Sequence, residues 1–474
     1  MRYFVMFSLA VLFLACESQA NEPATGEKAE SPNIVIQVEG LTSGQSYLIG
    51  IFTDQQYRLD SAQIDGTGKL VFSREEPYPA GFYLAWFPGN KTIQMLIDKD
   101  QTFTMTTNAN SIYESLKVEG SLDNELLYKN LNFQAAQQPA FNDIANQLKS
   151  HKEGSPEFDA LKAREKKLLE ERKIHLDEIY AKYPQSFFTI FKKAGQNPEV
   201  RDVRKADGTV DNATQVYLYR KEFWKDVDFS DERLLYTPVI SNKLNRYISE
   251  ITPQNQDSII KSAKALVDQV LEYPEYFKYF ANAITIKYEP TKTTLMDPEA
   301  VYVFMVQNYF TYQRAFWADS LQIRALQTRA NEMAGSLLGK KGPDVKTKDI
   351  NGQMRSIYEI TAPYIVIFMF NPECEHCQEE SPKLVRFYNE WKNKGLEVFT
   401  IALDTDEAQW KNFIRTSGLP GIHVFDPTNK SIYAKYYVDN TPEIYVLNPD
   451  RTIIGKNLKV DQIGIVIQRD QESK

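Results

Sequence analysis

The rhythm of apolar and polar positions changes twice along the chain. Between residues 31 and 118, short apolar or alternating runs recur at 34–38, 47–52, 70–72, 82–86, 93–97 and 103–106. Turn signals such as Asp65-Gly66 and Pro88-Gly89-Asn90 separate them. Strands at this spacing predict a small β-sandwich or barrel. From 119 to 336 the period lengthens. Leu161, Leu168, Leu169, Leu176, Ile179 and Tyr180 recur as on one face of a helix, and further helical runs cover 213–226, 239–251, 256–272, 297–313 and 318–336. Tyr273, Tyr276, Phe277, Tyr279 and Phe280, then Tyr302, Phe304, Tyr309, Phe310, Tyr312, Phe316 and Trp317, make two aromatic-rich stretches. They read first as helix core, and second as a groove for a partner polypeptide. Gly339-Lys340-Lys341-Gly342-Pro343 marks a linker. Beyond it, strands and helices alternate. A continuous apolar run at 365–370 predicts a buried parallel strand. Helices follow over 374–392 and 406–417, a strand over 398–403, and a hairpin-like pair over 443–447 and 452–455. The expected architecture is therefore multidomain, with a β-rich domain (31–118), an α-helical domain (119–336) and an α/β domain (337–474).

The first thirty residues do not fit this pattern. Arg2 precedes a stretch, Phe4 to Ala15, that is apolar except for Ser8. It is shorter than the roughly 20 residues that span a bilayer and reads as the apolar part of a signal peptide. It ends in Phe13-Leu14-Ala15-Cys16, which resembles the lipobox of bacterial lipoproteins. The resemblance implies cleavage after residue 15 and lipidation of Cys16. Residues 16–30 are polar and suit a flexible tether. The implied location is the cell envelope, anchored in a membrane and facing the periplasm. A net charge of −8, from 55 basic and 63 acidic residues, gives no basic surface for nucleic acid.

Cysteine usage narrows the chemistry. The chain has three cysteines. With Cys16 taken up by the lipobox resemblance, Cys374 and Cys377 remain, and no further thiol is left for a structural disulfide in an oxidising compartment. In Cys374-Glu375-His376-Cys377 the thiols stand one turn apart at the start of a predicted helix. The exposed N–H groups and positive dipole end there stabilise a thiolate on the first cysteine. Cys374 is expected to attack and Cys377 to resolve the mixed disulfide. A protonated His376 would favour the thiolate and Glu375 would oppose it. A C-x-x-C at the first strand-to-helix junction of a β-α-β-α-β-β order is the setting of a thioredoxin-like redox motif.

The wider pattern resembles the TlpA/ResA-like branch of the thioredoxin superfamily. Its C-x-x-C-x-x-E-x-P appears as Cys374-Glu375-His376-Cys377-Gln378-Glu379-Glu380-Ser381-Pro382. The resemblance implies that Glu380 handles protons for the cysteines. It also implies that Thr441-Pro442, before Glu443-Ile444-Tyr445-Val446-Leu447, is a cis-proline loop presenting the Thr441 backbone to an extended substrate. Asp404 and the turn Asn448-Pro449-Asp450-Arg451 extend the match. Two positions depart: Glu373 replaces the usual Trp, and Phe368 replaces the buried Asp of thioredoxin. The stretch containing Asp60-Ser61-Ala62, Asp65-Gly66-Thr67-Gly68-Lys69, Pro79-Ala80-Gly81-Phe82-Tyr83 and Val118-Glu119-Gly120-Ser121 resembles an N-terminal domain of unknown function found in thioredoxin-like lipoproteins of Gram-negative bacteria.

The resulting expectation is a membrane-tethered thiol–disulfide oxidoreductase, with reduction favoured by the family resemblance. It would act on protein dithiols or disulfides, draw on a membrane electron donor if a reductase, and use no metal or organic cofactor. Rival readings are a cell-envelope binding or scaffold lipoprotein with a non-catalytic thioredoxin-like domain, and a peroxiredoxin-like antioxidant. The latter lacks a Thr or Ser three residues before Cys374, where Asn371 stands. Structural zinc needs four ligands, which two free cysteines and four histidines without a second C-x-x-C do not supply.

Overall fold

The computed structural model of the chain describes residues 31–425 and 435–473. Segments 1–15 and 16–30, with Cys16, lie outside the described residues. The chain forms two compact units, Met1–Lys192 and Lys193–Lys474, so the helical stretch 119–336 is shared between them.

In the first unit, β1 (Asn33–Glu39), β4 (Lys69–Ser73), β7 (Thr102–Asn108) and β8 (Lys117–Glu119) form a sheet in the order β4-β1-β7-β8. A second sheet has β2 (Gly44–Phe52), β3 (Gln55–Ile64), β5 (Gly81–Phe87) and β6 (Lys91–Ile97) in the order β3-β2-β5-β6. Alternate side chains of β1, Ile34, Ile36 and Val38, are buried, as a strand with one covered face requires. β1 and β7 run parallel. Helix α1 (Leu122–Leu148) covers the edge of β6 through one residue. The buried Asn124 amide accepts from Leu96 N–H at 2.8 Å and donates to the Leu96 carbonyl at 2.7 Å. An open strand edge is thereby paired. α2 (Pro156–Lys182) packs back along α1.

The second unit begins with helices α4 (Asn212–Glu222), α5 (Pro238–Asn245), α6 (Gln256–Gln269), α7 (Pro274–Lys287), α8 (Pro298–Tyr309) and α9 (Ser320–Met333), α3 (Phe187–Ala194) lying at the unit boundary. The aromatic residues fill their core: the Trp224 and Phe280 rings are 5.4 Å apart and those of Phe229 and Tyr276 5.2 Å. Tyr312 and Phe316 alone of the two aromatic stretches are exposed.

A five-stranded sheet follows, in the order β13-β12-β11-β14-β15. Its strands are β11 (Tyr364–Phe370), β12 (Leu396–Ala402), β13 (Ile422–Phe425), β14 (Glu443–Leu447) and β15 (Ile453–Gly455), and a small hairpin, β9 (Lys346–Lys348) with β10 (Met354–Ser356), precedes it. Central β11 pairs parallel with β12 and antiparallel with β14, and all seven of its side chains are buried. Val366, Phe368 and Phe370 pack with α10 (Glu375–Trp391), α11 (Glu407–Ser417) and α12 (Val460–Glu472). Ile365, Ile367 and Met369 pack on the other face with Val345, Ile357, Tyr436 and Val438. The thioredoxin-like α/β domain is thus present, with a mixed sheet, beside a β-rich N-terminal region and a helical middle. Among the described residues no helix is long and apolar enough to cross a membrane.

Candidate active site

The site stands where β11 ends and α10 begins. Asn371 makes the corner: its side chain accepts from Glu373 N–H at 2.8 Å and donates to the Asp404 carbonyl at 3.2 Å. Cys374 is the extended residue that caps α10. Its Sγ accepts from the Cys377 backbone N–H at 3.3 Å, the bond a capping side chain makes to the first turn. The same sulfur donates to the Thr441 carbonyl at 3.1 Å. The Thr441-Pro442 peptide is cis.

The two thiols occupy different environments. Cys374 is half-buried and Cys377 fully buried. Burial pushes the Cys374 thiol up, but hydrogen bonds from the Cys377 and Thr441 side chains and from the Cys377 and His376 N–H groups outweigh it and leave it below its ordinary value. Cys377 is pushed up to about 12, by burial and then by its hydrogen bond to Cys374. The helix terminus therefore serves one sulfur and the core silences the other.

Of the remaining predicted residues, Glu375 and His376 face solvent. The His376 ring pairs at 3.5 Å with Glu379. Glu380 lies one turn beyond Cys377 and is buried, with both oxygens engaged. Oε1 accepts from Lys383 Nζ at 2.6 Å and Oε2 from the Val460 N–H, at the start of α12, at 2.9 Å. Burial raises this carboxyl, but those bonds prevail and hold it below the usual carboxylate range. Sequence reasoning missed a second buried acid. Glu443 follows Pro442 directly, and burial pushes it up to about 8 against the pull of Lys456 and the Asn457 N–H. Its signal was available, since a Glu opening an otherwise apolar strand demands a partner. Among the described residues no group of three His, Cys, Asp or Glu is arranged to hold a metal.

Comparison with known proteins gives the following. Residues 338–463 match the AhpC/TSA family and residues 33–127 match a domain of unknown function (DUF4369). A Bacillus thuringiensis protein named thiol-disulfide oxidoreductase ResA is 26% identical over 156 residues, 32% of this chain and 81% of that one. Its namesake in Bacillus cereus is 22% identical over 147 residues, 31% and 77% of the two chains. Among solved structures, the thioredoxin domain of a thiol-disulfide oxidoreductase from Bacteroides vulgatus is 23% identical, covering 28% of this chain and 96% of its own, with a TM-score of 0.27. The matched family, the curated relatives and the motif around the cysteines agree, and the C-terminal domain of this chain is similar to TlpA/ResA-like thioredoxin-fold thiol-disulfide oxidoreductases.

Proposed function

We propose that the protein is a membrane-tethered, extracytoplasmic thiol–disulfide oxidoreductase that works as a reductase through Cys374 and Cys377. The observation that carries this reading is the division of labour between the sulfurs. One is accessible at a helix N-terminus with its thiol pushed down, and the other is buried with its thiol pushed up.

The Cys374 thiolate attacks one sulfur of a substrate disulfide. The substrate S–S bond breaks, its other sulfur leaves as a thiolate and takes a proton, and a mixed disulfide with Cys374 remains. Cys377 gives up its proton and attacks Cys374 Sγ. The mixed disulfide breaks, the second substrate sulfur leaves as a thiol, and Cys374 and Cys377 are joined. Two electrons have passed to the substrate, and a membrane electron donor returns them. Glu380, held ionised, takes the proton-handling role that the family resemblance assigns. Thr441 and Pro442 position the substrate backbone beside Cys374, and Glu375 and His376 tune the potential from the solvent side. Lipidation of Cys16 supplies the anchor in the cell envelope.

The reduction potential of the pair tests this, titrated against a thiol buffer with and without Glu380→Gln. A value near or below about −270 mV marks a reductase. A far higher value marks an oxidant or isomerase. If no disulfide forms between the cysteines at any poise, the redox reading falls and a binding or scaffold role replaces it.

A further inference from the structure

The loop that touches Cys374 is held from both sides by the helical segment that precedes the sheet. Upstream of Thr441, Arg329 of α9 donates from Nε to the Tyr437 hydroxyl at 2.9 Å, pairs with Asp439 at 3.5 Å, and is itself fixed by Glu289. Tyr437 N–H donates to the Ser336 hydroxyl at 3.4 Å. Downstream, Glu443 Oε1 accepts from the Asn457 N–H at 2.9 Å. The Asn457 amide then donates to the Glu299 carboxylate at 3.2 Å and to the Met296 carbonyl at 3.2 Å. Lys456, with no exposed surface, sits 3.2 Å from Glu299 and 3.7 Å from Asp297.

This cluster is not accounted for by stability. Taking charges out of water costs several kcal/mol per ion, and well-packed apolar groups commonly do as well or better. Acids also outnumber bases. Glu443 faces Lys456, Glu299, Asp439 and the Tyr445 hydroxyl, while Asp297 lies against Lys456 and Glu299. What buried ion pairs supply best is register, because their partners have one acceptable arrangement. Here the register is that of a seven-residue connector from Tyr437 to Glu443, with Thr441 inside it.

We propose that Arg329, Glu299 and Lys456 are positioning residues of the thiol site, which hold the Thr441-Pro442 loop against Cys374 from the helical segment. The proposal rests on the reading of Cys374 as the attacking thiol. It gives residues 289–336 a role in the chemistry, because they hold the segments on either side of Thr441. The Thr441 side chain, not the carbonyl that accepts from the sulfur, is one of the groups holding the Cys374 thiol down, so a loosened loop that withdraws it lets that thiol rise and presents the substrate backbone less well.

The test uses the full chain with Arg329→Gln and, separately, Glu299→Gln. Phe280→Leu, in the aromatic core of the helices, serves as a destabilised control. Two quantities are read: the pH of half-maximal alkylation of Cys374 by iodoacetamide, and KM against kcat for reduction of a disulfide-linked peptide. Both cluster variants should move the alkylation midpoint up by about 0.5 unit or more and raise KM more than they lower kcat. Phe280→Leu should leave the midpoint in place. Arg329 is partly exposed, so its variant decides the matter if Glu299→Gln does not fold. Folded variants with unchanged midpoint and KM overturn the proposal while leaving the thiol chemistry intact. A wild-type protein that forms no Cys374–Cys377 disulfide overturns the reading on which the proposal rests.

Discussion

Reducing the protein and titrating it with iodoacetamide across pH should label Cys374 and spare Cys377. The size of the difference follows from the two environments. Burial and Cys374 raise Cys377 from 9.0 to about 12, which lowers its thiolate fraction at neutral pH about 10³-fold relative to an unperturbed thiol. A more basic thiolate is more nucleophilic, with a Brønsted coefficient of about 0.4–0.5, so about 20-fold of that deficit returns. Cys377 should then react about 50-fold more slowly than an ordinary cysteine, before its burial slows the reagent further. Cys374 is held below its ordinary value, against its burial, by the Cys377 and Thr441 side chains and then by the first N–H groups of the helix, and should keep reacting below the pH at which a free cysteine stops. The assay is timed alkylation from about pH 5.5 to 9, spanning the range in which an activated thiol ionises, with mass spectrometry of the two-cysteine peptide. Comparable rates at the two sulfurs, or a Cys374 midpoint above that of a free thiol, would refute the assignment of attacking and resolving roles.

Three further outcomes follow from the same geometry. Cys377→Ser should trap a stable mixed disulfide with substrate on non-reducing gels, whereas Cys374→Ser should form none and lose turnover. Glu380→Gln should cost about 1–2 kcal/mol in urea unfolding at pH 7, because a charge-assisted bond to the first N–H of α12 becomes a neutral one. The reduced protein should consume hydrogen peroxide no faster than a free thiol, since Asn371 spends its side chain on Glu373 and Asp404; rapid turnover would restore the peroxidase reading.

The features legible in the sequence are those whose signal is local. β11 is legible because a central strand covered on both faces must be apolar throughout, and the place of Cys374 because a C-x-x-C at a strand-to-helix junction is a local pattern. β3 was missed. It is ten residues long, but only Ala62 and Ile64 are buried, so its edge position is written in pairing and not in hydrophobicity. β13 is too short to register a period. α12 did carry a signal, with Val460, Ile463, Val466 and Ile467 on one stripe, although it lies past the last element that the pattern predicted. What no pattern could give is the partnership of residues far apart. Glu380 meets Val460 eighty positions on, and Glu299 meets Asn457 across 158.

The two buried glutamates make that last point measurable, because their surroundings act in opposite directions. Glu380 is held below its ordinary value by Lys383 and the Val460 N–H. Its contribution to stability is therefore complete above an unfolded value of about 4.3 and is lost as pH falls through the lower folded value. Glu443 is pushed up to about 8 by burial. The folded state prefers it protonated and the unfolded chain ionises it near 4.3, so stability should fall as pH rises from about 4.3 to about 8 and level off above. Asp297, pushed up to about 6 by burial, adds to the same descent over its lower part. Urea midpoints from about pH 4 to 9 should then separate the two acids. Glu443→Gln should flatten this descent and be at least as stable as the wild type at pH 8, since Lys456 keeps Glu299 and Asp297. Glu380→Gln should leave that descent in place and remove the acid-side loss. A wild-type profile that rises from pH 5 to 8, or a Glu443→Gln variant with an undiminished descent, would show that the ion cluster beneath the Thr441-Pro442 loop holds its charges in another arrangement.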